Sequence, residues 1–131
     1  MGHVYVDARI FARRRATARF LVDTGATHTI VPPSLVRQIG APTLPGHFAV
    51  TLADGTQRRL RACSMGIEVC DRTGPTVALV LPGGEPLLGV ETLEALGLRV
   101  NPAARRLEPT RAQTALLVGV RPTPAYRPRR G

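Results

Sequence analysis

The chain has no lysine and no tryptophan among its 131 residues, and only 2 tyrosines and 3 phenylalanines. So few rings leave no aromatic interleaving of the kind that nucleic-acid binders stack bases on, and no nucleic-acid fold signature is present. Two cysteines, Cys63 and Cys70, are too few for a disulfide framework. They read as buried free thiols on or near strands. His3, His28 and His47 are scattered, and neither cysteine has a close neighbour of ligand type, so no metal site and no cofactor are expected. No apolar run is long enough to span a bilayer, and residues 1–20 are polar and broken by arginines, unlike a signal peptide. The expectation is a cytoplasmic protein without a membrane partner.

Proline and glycine are plentiful, at 12 and 13. Helical runs are few, so the composition points to a mainly β chain of short strands and turns. The length supports one domain with a modest core. The net charge of +9 rests on 18 arginines against 9 acids. Its distribution divides the chain. Residues 1–108 hold 13 arginines and all 9 acids, whereas residues 109–131 hold 5 arginines and no acid. We therefore expect a folded domain over 1–108 and a C-terminal extension over 109–131, with a possible extra strand at 114–120 followed by a flexible Arg/Pro-rich tail.

Within the domain, Val4, Val6, Ala8 and Ile10 alternate onto one strand face. Arg13, Arg14 and Arg15 form a hairpin connection, and a second strand returns over residues 16–22. A short strand at 29–31 is followed by a helix that Pro32 and Pro33 open and Gly40 closes. Asp54-Gly55 between strand-like runs predicts a hairpin over about 48–62 with a type I′ turn, which needs positive φ at both central residues. Further strands are expected at 65–70 and at 75–81, the latter apolar enough to be buried on both faces. A helix at 90–96 follows, with Val90, Leu93 and Leu96 on one face, and then strand-like segments at 98–100 and 106–108.

The most informative stretch is Phe20-Leu21-Val22-Asp23-Thr24-Gly25-Ala26-Thr27. An apolar strand delivers one carboxylate into a Thr-Gly turn. Such a carboxylate is costly to ionise unless neighbours hydrogen-bond it. Thr24 supplies a hydroxyl, and Gly25 permits either a close backbone approach or positive φ. With Ile30-Val31 downstream and Leu87-Leu88-Gly89 heading a short helix, the set resembles the retropepsin-like aspartic proteases, the single-domain relatives of retroviral proteases. It looks most like the small cellular versions found in bacteria.

The resemblance implies a closed acid-protease barrel with one or two short helices and a flap hairpin. It implies Asp23, Thr24 and Gly25 as the catalytic turn. It also implies that Ala26, Thr27 and His28, with Ala53, Asp54 and Gly55 of the flap, bind substrate. Leu87-Leu88-Gly89 would support the catalytic turn. Retroviral members often carry acids where Thr27 and His28 stand, and usually follow that glycine with Arg and then Asn or Asp, where Val90 and Glu91 stand here. Retroviral flaps are also richer in glycine than this one.

Peptide hydrolysis by carboxylates needs a base to activate water and an acid to protonate the carbonyl oxygen or the leaving amine. Two carboxylates about 3 Å apart, at an effective dielectric of about 20, repel by roughly 5 kcal/mol. Near neutral pH such a pair therefore holds one proton between its members and can do both jobs; aspartic proteases are the known case. One suitable aspartate per chain implies a C2 homodimer, with each Thr24 bracing the opposite turn. The expected function is an aspartic endopeptidase acting on a polypeptide substrate. The alternative is a non-catalytic dimerisation or peptide-binding module whose basic tail recruits an acidic partner or nucleic acid, although nucleic acid is not the expected partner.

Overall fold

The computed structural model describes residues 3–110. The possible strand at 114–120 and the Arg/Pro-rich tail lie outside them. The elements run β1 (Val4–Phe11), β2 (Arg15–Val22), β3 (Thr29–Val31), α1 (Pro33–Ile39), β4 (Phe48–Thr51), β5 (Gln57–Val69), β6 (Arg72–Val80), β7 (Leu87–Leu88), α2 (Val90–Leu96), β8 (Leu98–Asn101) and β9 (Arg106–Pro109). No helix among the described residues is long and apolar enough to cross a membrane.

β1 and β2 form an antiparallel hairpin in which Phe11 faces Arg15 across the arginine turn. Their alternating residues point inward, and Ala8, Ile10 and Phe20 are fully buried. Burying a side chain such as Ile10 or Phe20 stabilises the fold by about 1.5–3 kcal/mol. Both helices end as their glycines predict: Gly40 and Gly97 adopt left-handed φ of 68° and 70°, and their N–H groups return to the last-turn carbonyls. A Cβ would disfavour that conformation.

Seven strands form one sheet in the order β1-β2-β7-β3-β6-β5-β4, and β8 and β9 pair separately. The closed barrel that the resemblance implied is therefore corrected. β4 is an edge that pairs with β5 alone, and β7 is only two residues long. β1 curls back onto β5 over just three residue pairs, Arg9 to Phe11 against Gly66 to Glu68. The sheet is strongly curved but has ends, and the domain is mainly β with two helices.

Four further expectations change. The return arm of the 48–62 hairpin and the strand at 65–70 are one 13-residue strand, β5. The 75–81 segment is not buried on both faces, because Val77 on β6 is 53% exposed. The positive φ at two consecutive residues expected at Asp54-Gly55 occurs instead at Cys70 and Asp71, between β5 and β6. That turn carries Cys70 to the surface, so only Cys63 is a buried thiol. At the β4–β5 connection Gly55 alone has positive φ, of 86°. Gly55 N–H donates to the Leu52 carbonyl and Leu52 N–H to the Thr56 carbonyl. This is a three-residue loop ending in a left-handed glycine, a common alternative to the two-residue turn.

Candidate functional site

β2 ends at Val22, a buried residue, and the chain emerges at Asp23, which is half-buried, while Thr24 and Gly25 are exposed. The turn is held from below: Asp23 N–H donates to the Leu88 carbonyl of β7 at 3.0 Å, and Ala26 N–H to the Asp23 carbonyl at 3.1 Å. The Asp23 side chain is held from within the turn, where Oδ1 accepts from the Gly25 N–H at 2.9 Å. A Cβ on Gly25 would lie 3.3 Å from that oxygen, and φ there is not positive. Of the two roles open to this glycine, close approach is the one it serves. Among the described residues, the Thr24 hydroxyl has no side-chain hydrogen bond.

The loop after the turn is locked onto α2. Val90 N–H donates to the Ala26 carbonyl at 2.8 Å and Glu91 N–H to the Thr27 carbonyl at 3.0 Å. Both are first-turn donors that a helix cannot satisfy internally. Gly89 packs directly on the His28 peptide, leaving no room for a side chain. Behind this contact runs a chain of three hydroxyls. Thr29 Oγ1 lies 2.6 Å from Thr92 Oγ1, which lies 2.8 Å from Thr76 Oγ1, and the Gly89 N–H donates to Thr29 Oγ1 at 3.1 Å. Thr29 and Thr92 are 1% and 3% exposed.

A cleft of about 300 Å³ opens beside the turn. Residues 25–28 and Ile30 form one wall, residues 49–52 of the hairpin form the other, and Leu79 lines it as well. Sequence-predicted Gly25, Ala26, Thr27 and His28 thus share one cleft. Ala53, Asp54 and Gly55 do not line it; they stand beyond it at the exposed hairpin tip. There Asp54 Oδ1 accepts from the Thr56 hydroxyl at 2.6 Å and the Thr56 N–H at 2.9 Å. These bonds hold the Asp54 carboxyl below the usual carboxylate range. On the opposite wall, His28 Nδ1 lies 3.5 Å from Glu91 Oε1.

Sequence reasoning missed Ile30, Val50, Leu79 and the threonine chain. Thr92 was legible in principle, since it stands four residues before Leu96 and so shares its helix face. A larger groove of about 1130 Å³ lies between the β1–β2 turn and α1. It includes neither the Asp23 turn nor any carboxylate, so volume alone does not mark the site. Among the described residues, no group of three or more His, Cys, Asp or Glu is placed to hold a metal ion.

Comparison with known proteins identifies the family and the fold. Residues 12–95 match the family described as "gag-polyprotein putative aspartyl protease". Among solved structures, EIAV protease complexed with the inhibitor HBY-793 superimposes with a TM-score of 0.64 at 17% identity, covering 76% of this chain and 93% of that one. At that identity the likeness is one of fold. No curated protein matches the chain.

Proposed function

The chain belongs to the gag-polyprotein aspartyl protease family, and from that premise we propose that it is an aspartic endopeptidase, active as a homodimer. The observation that carries the reading is the Asp23 carboxylate, half-buried at the end of β2 and held by the Gly25 N–H beside a cleft under the β4–β5 hairpin. One chain supplies one such carboxylate. Two copies related by a two-fold axis would supply the pair that peptide hydrolysis requires. The exposed Thr24 hydroxyl next to Asp23, unpaired among the described residues, supports this as a group able to bond across the axis.

In the proposed reaction the two Asp23 carboxyl groups hold one proton between them. The ionised member takes a proton from water as the water oxygen attacks the scissile carbonyl carbon. The protonated member donates to the carbonyl oxygen. As the resulting diol collapses, the carboxyl that took the water proton gives it to the leaving amine, the other carboxylate takes a proton from a diol hydroxyl, and the C–N bond breaks, leaving one proton again on the pair. The extended substrate backbone pairs with the free edge of β4 and with the loop at residues 26–28.

The test is cleavage of a mixed peptide library by wild type and Asp23→Asn, at a protein concentration that favours dimers. Cleavage by the wild type and none by the variant, with the dimer intact in both, is the expected result. Equal cleavage by the two would overturn the assignment.

A further inference from the structure

The β4–β5 hairpin carries three arginines on its return arm, Arg58, Arg59 and Arg61, and they are not equivalent. Residues facing each other across an antiparallel pair project to the same side, and side chains two apart along a strand share a face. Val50 faces Arg58, and Leu60 follows two residues later. Leu60 is 4% exposed and clusters with Val50, Ile30 and Leu79, three residues that also line the cleft beside Asp23. Arg58 therefore shares a face of the hairpin with Val50 and Leu60, one step toward the tip from that buried leucine, although it does not itself line the cleft. Arg59 faces Ala49, on the face opposite to buried Leu60. Arg61 is engaged, donating to the Leu44 carbonyl at 3.3 Å.

The charges around Arg58 leave it available. It is exposed, and it makes no ion pair or side-chain hydrogen bond among the described residues. No residue lining the cleft is acidic. On the facing wall, His28 already has Glu91 beside it. Asp54, the acid on the same hairpin, has its Oδ1 taken by two bonds from Thr56, which lower its pKa; the Arg58 charge adds a little to that lowering, but the two make no ion pair. A carboxylate entering on a substrate would meet a guanidinium able to bind it through two N–H groups, which is the geometry arginine recognises best.

Resting on the protease reading, we infer that Arg58 makes the cleft selective for polypeptides carrying glutamate or aspartate at one fixed position from the scissile bond. The recognised group is a side-chain carboxylate, and Arg58 is a specificity residue rather than a catalytic one.

The experiment profiles cleavage sites in a degenerate peptide library. It then measures kcat/KM on matched peptides that differ only by Glu or Gln at the enriched position. Wild type, Asp23→Asn, Arg58→Leu and Arg58→Glu are compared. Wild type should favour the Glu peptide by about tenfold, the scale of one charge-assisted contact. Added salt should shrink that ratio. Arg58→Leu should bring it near one, and Arg58→Glu should invert it in favour of a peptide with Arg at that position. Because each ratio is internal to one variant, a general loss of activity does not disturb it. Asp23-dependent cleavage indifferent to Glu, or a preference that survives in Arg58→Leu, overturns the inference and leaves the protease reading standing. Absence of any Asp23-dependent cleavage overturns both.

Discussion

Gly89 lies so close to the His28 peptide that a Cβ at position 89 would overlap the His28 carbonyl carbon and oxygen. The close approach lets the α2 N–H groups of Val90 and Glu91 reach the Ala26 and Thr27 carbonyls. Backbone cannot yield as a flexible side chain can, so Gly89→Ala must push α2 and the post-Asp23 loop apart. We expect it to cost about 2–4 kcal/mol of stability, in the range of severe steric substitutions. Peptide cleavage should fall further than stability alone explains, because the loop carries one cleft wall. Urea unfolding with a parallel activity assay measures both. A variant with an unchanged midpoint would show that the contact is not restrictive.

Thr92 joins the hydroxyls of Thr29 and Thr76 in an otherwise apolar interior. Thr92→Val keeps the shape but removes the central partner, leaving two hydroxyls short of a bond, one of them on fully buried Thr29. An unsatisfied buried polar group costs about 1–3 kcal/mol. Thr92→Ser restores the oxygen and loses only a methyl, so it should lie closer to wild type. The order wild type, Ser, Val in urea midpoint is the expected result. A valine variant as stable as wild type would mean that the hydroxyl chain contributes nothing net.

Much of this was legible from local rules. Proline and glycine punctuation located both helices to within a residue, and alternation located β1, because these signals depend on neighbours a few positions apart. The Asp23 turn was legible as a turn, because an apolar strand running into Asp-Thr-Gly marks a strand end and a tight loop. What failed was set by distant partners. Val77 belongs to an apolar run, yet it is exposed because no described residue packs over that part of β6. Asp54-Gly55 has the composition of a type I′ turn, but Asp54 instead uses its carboxylate to cap Thr56, and a three-residue loop results. The extent of sheet closure depends on a three-pair contact between β1 and β5, segments more than fifty residues apart, which no local pattern encodes.

The two thiols should separate by reactivity. Cys63 is buried in β5, and burial pushes its thiol above the ordinary range. Cys70 is exposed on a tight turn, and its thiol is also raised, by partial burial and then by the Asp71 carboxylate. Thiolate is the reactive form, so neither reacts fast at neutral pH. A thiol-reactive dye should label one cysteine per native chain, Cys70, with a rate that climbs above the pH at which ordinary thiols ionise. The second should appear only on unfolding. Two thiols labelled at similar rates in the native protein would contradict the burial of Cys63.

Asp54 gives the hairpin tip a pH dependence of definite sign. Its carboxylate accepts from the Thr56 hydroxyl and then from the Thr56 N–H, and these bonds lower its pKa below the ordinary 3.8. A group lowered on folding contributes stability that is complete above its unfolded pKa. That stability is lost as the pH falls through the lower, folded value. The loop should therefore hold its shape at neutral and mildly acidic pH and loosen only below the ordinary carboxylate range. The Thr56 amide proton reports this directly, since it donates to the titrating oxygen. Its NMR shift should move with a midpoint below 3.8, and in Asp54→Asn that titration should vanish. If Asp23-dependent cleavage is found, the same variant should alter KM more than kcat, because residues 53–55 stand beyond the cleft and away from the Asp23 carboxylate. A Thr56 midpoint at or above the ordinary value would show that the carboxylate does not hold the turn. The hairpin's shape would then rest on the left-handed Gly55 and the Leu52–Thr56 backbone pairing alone.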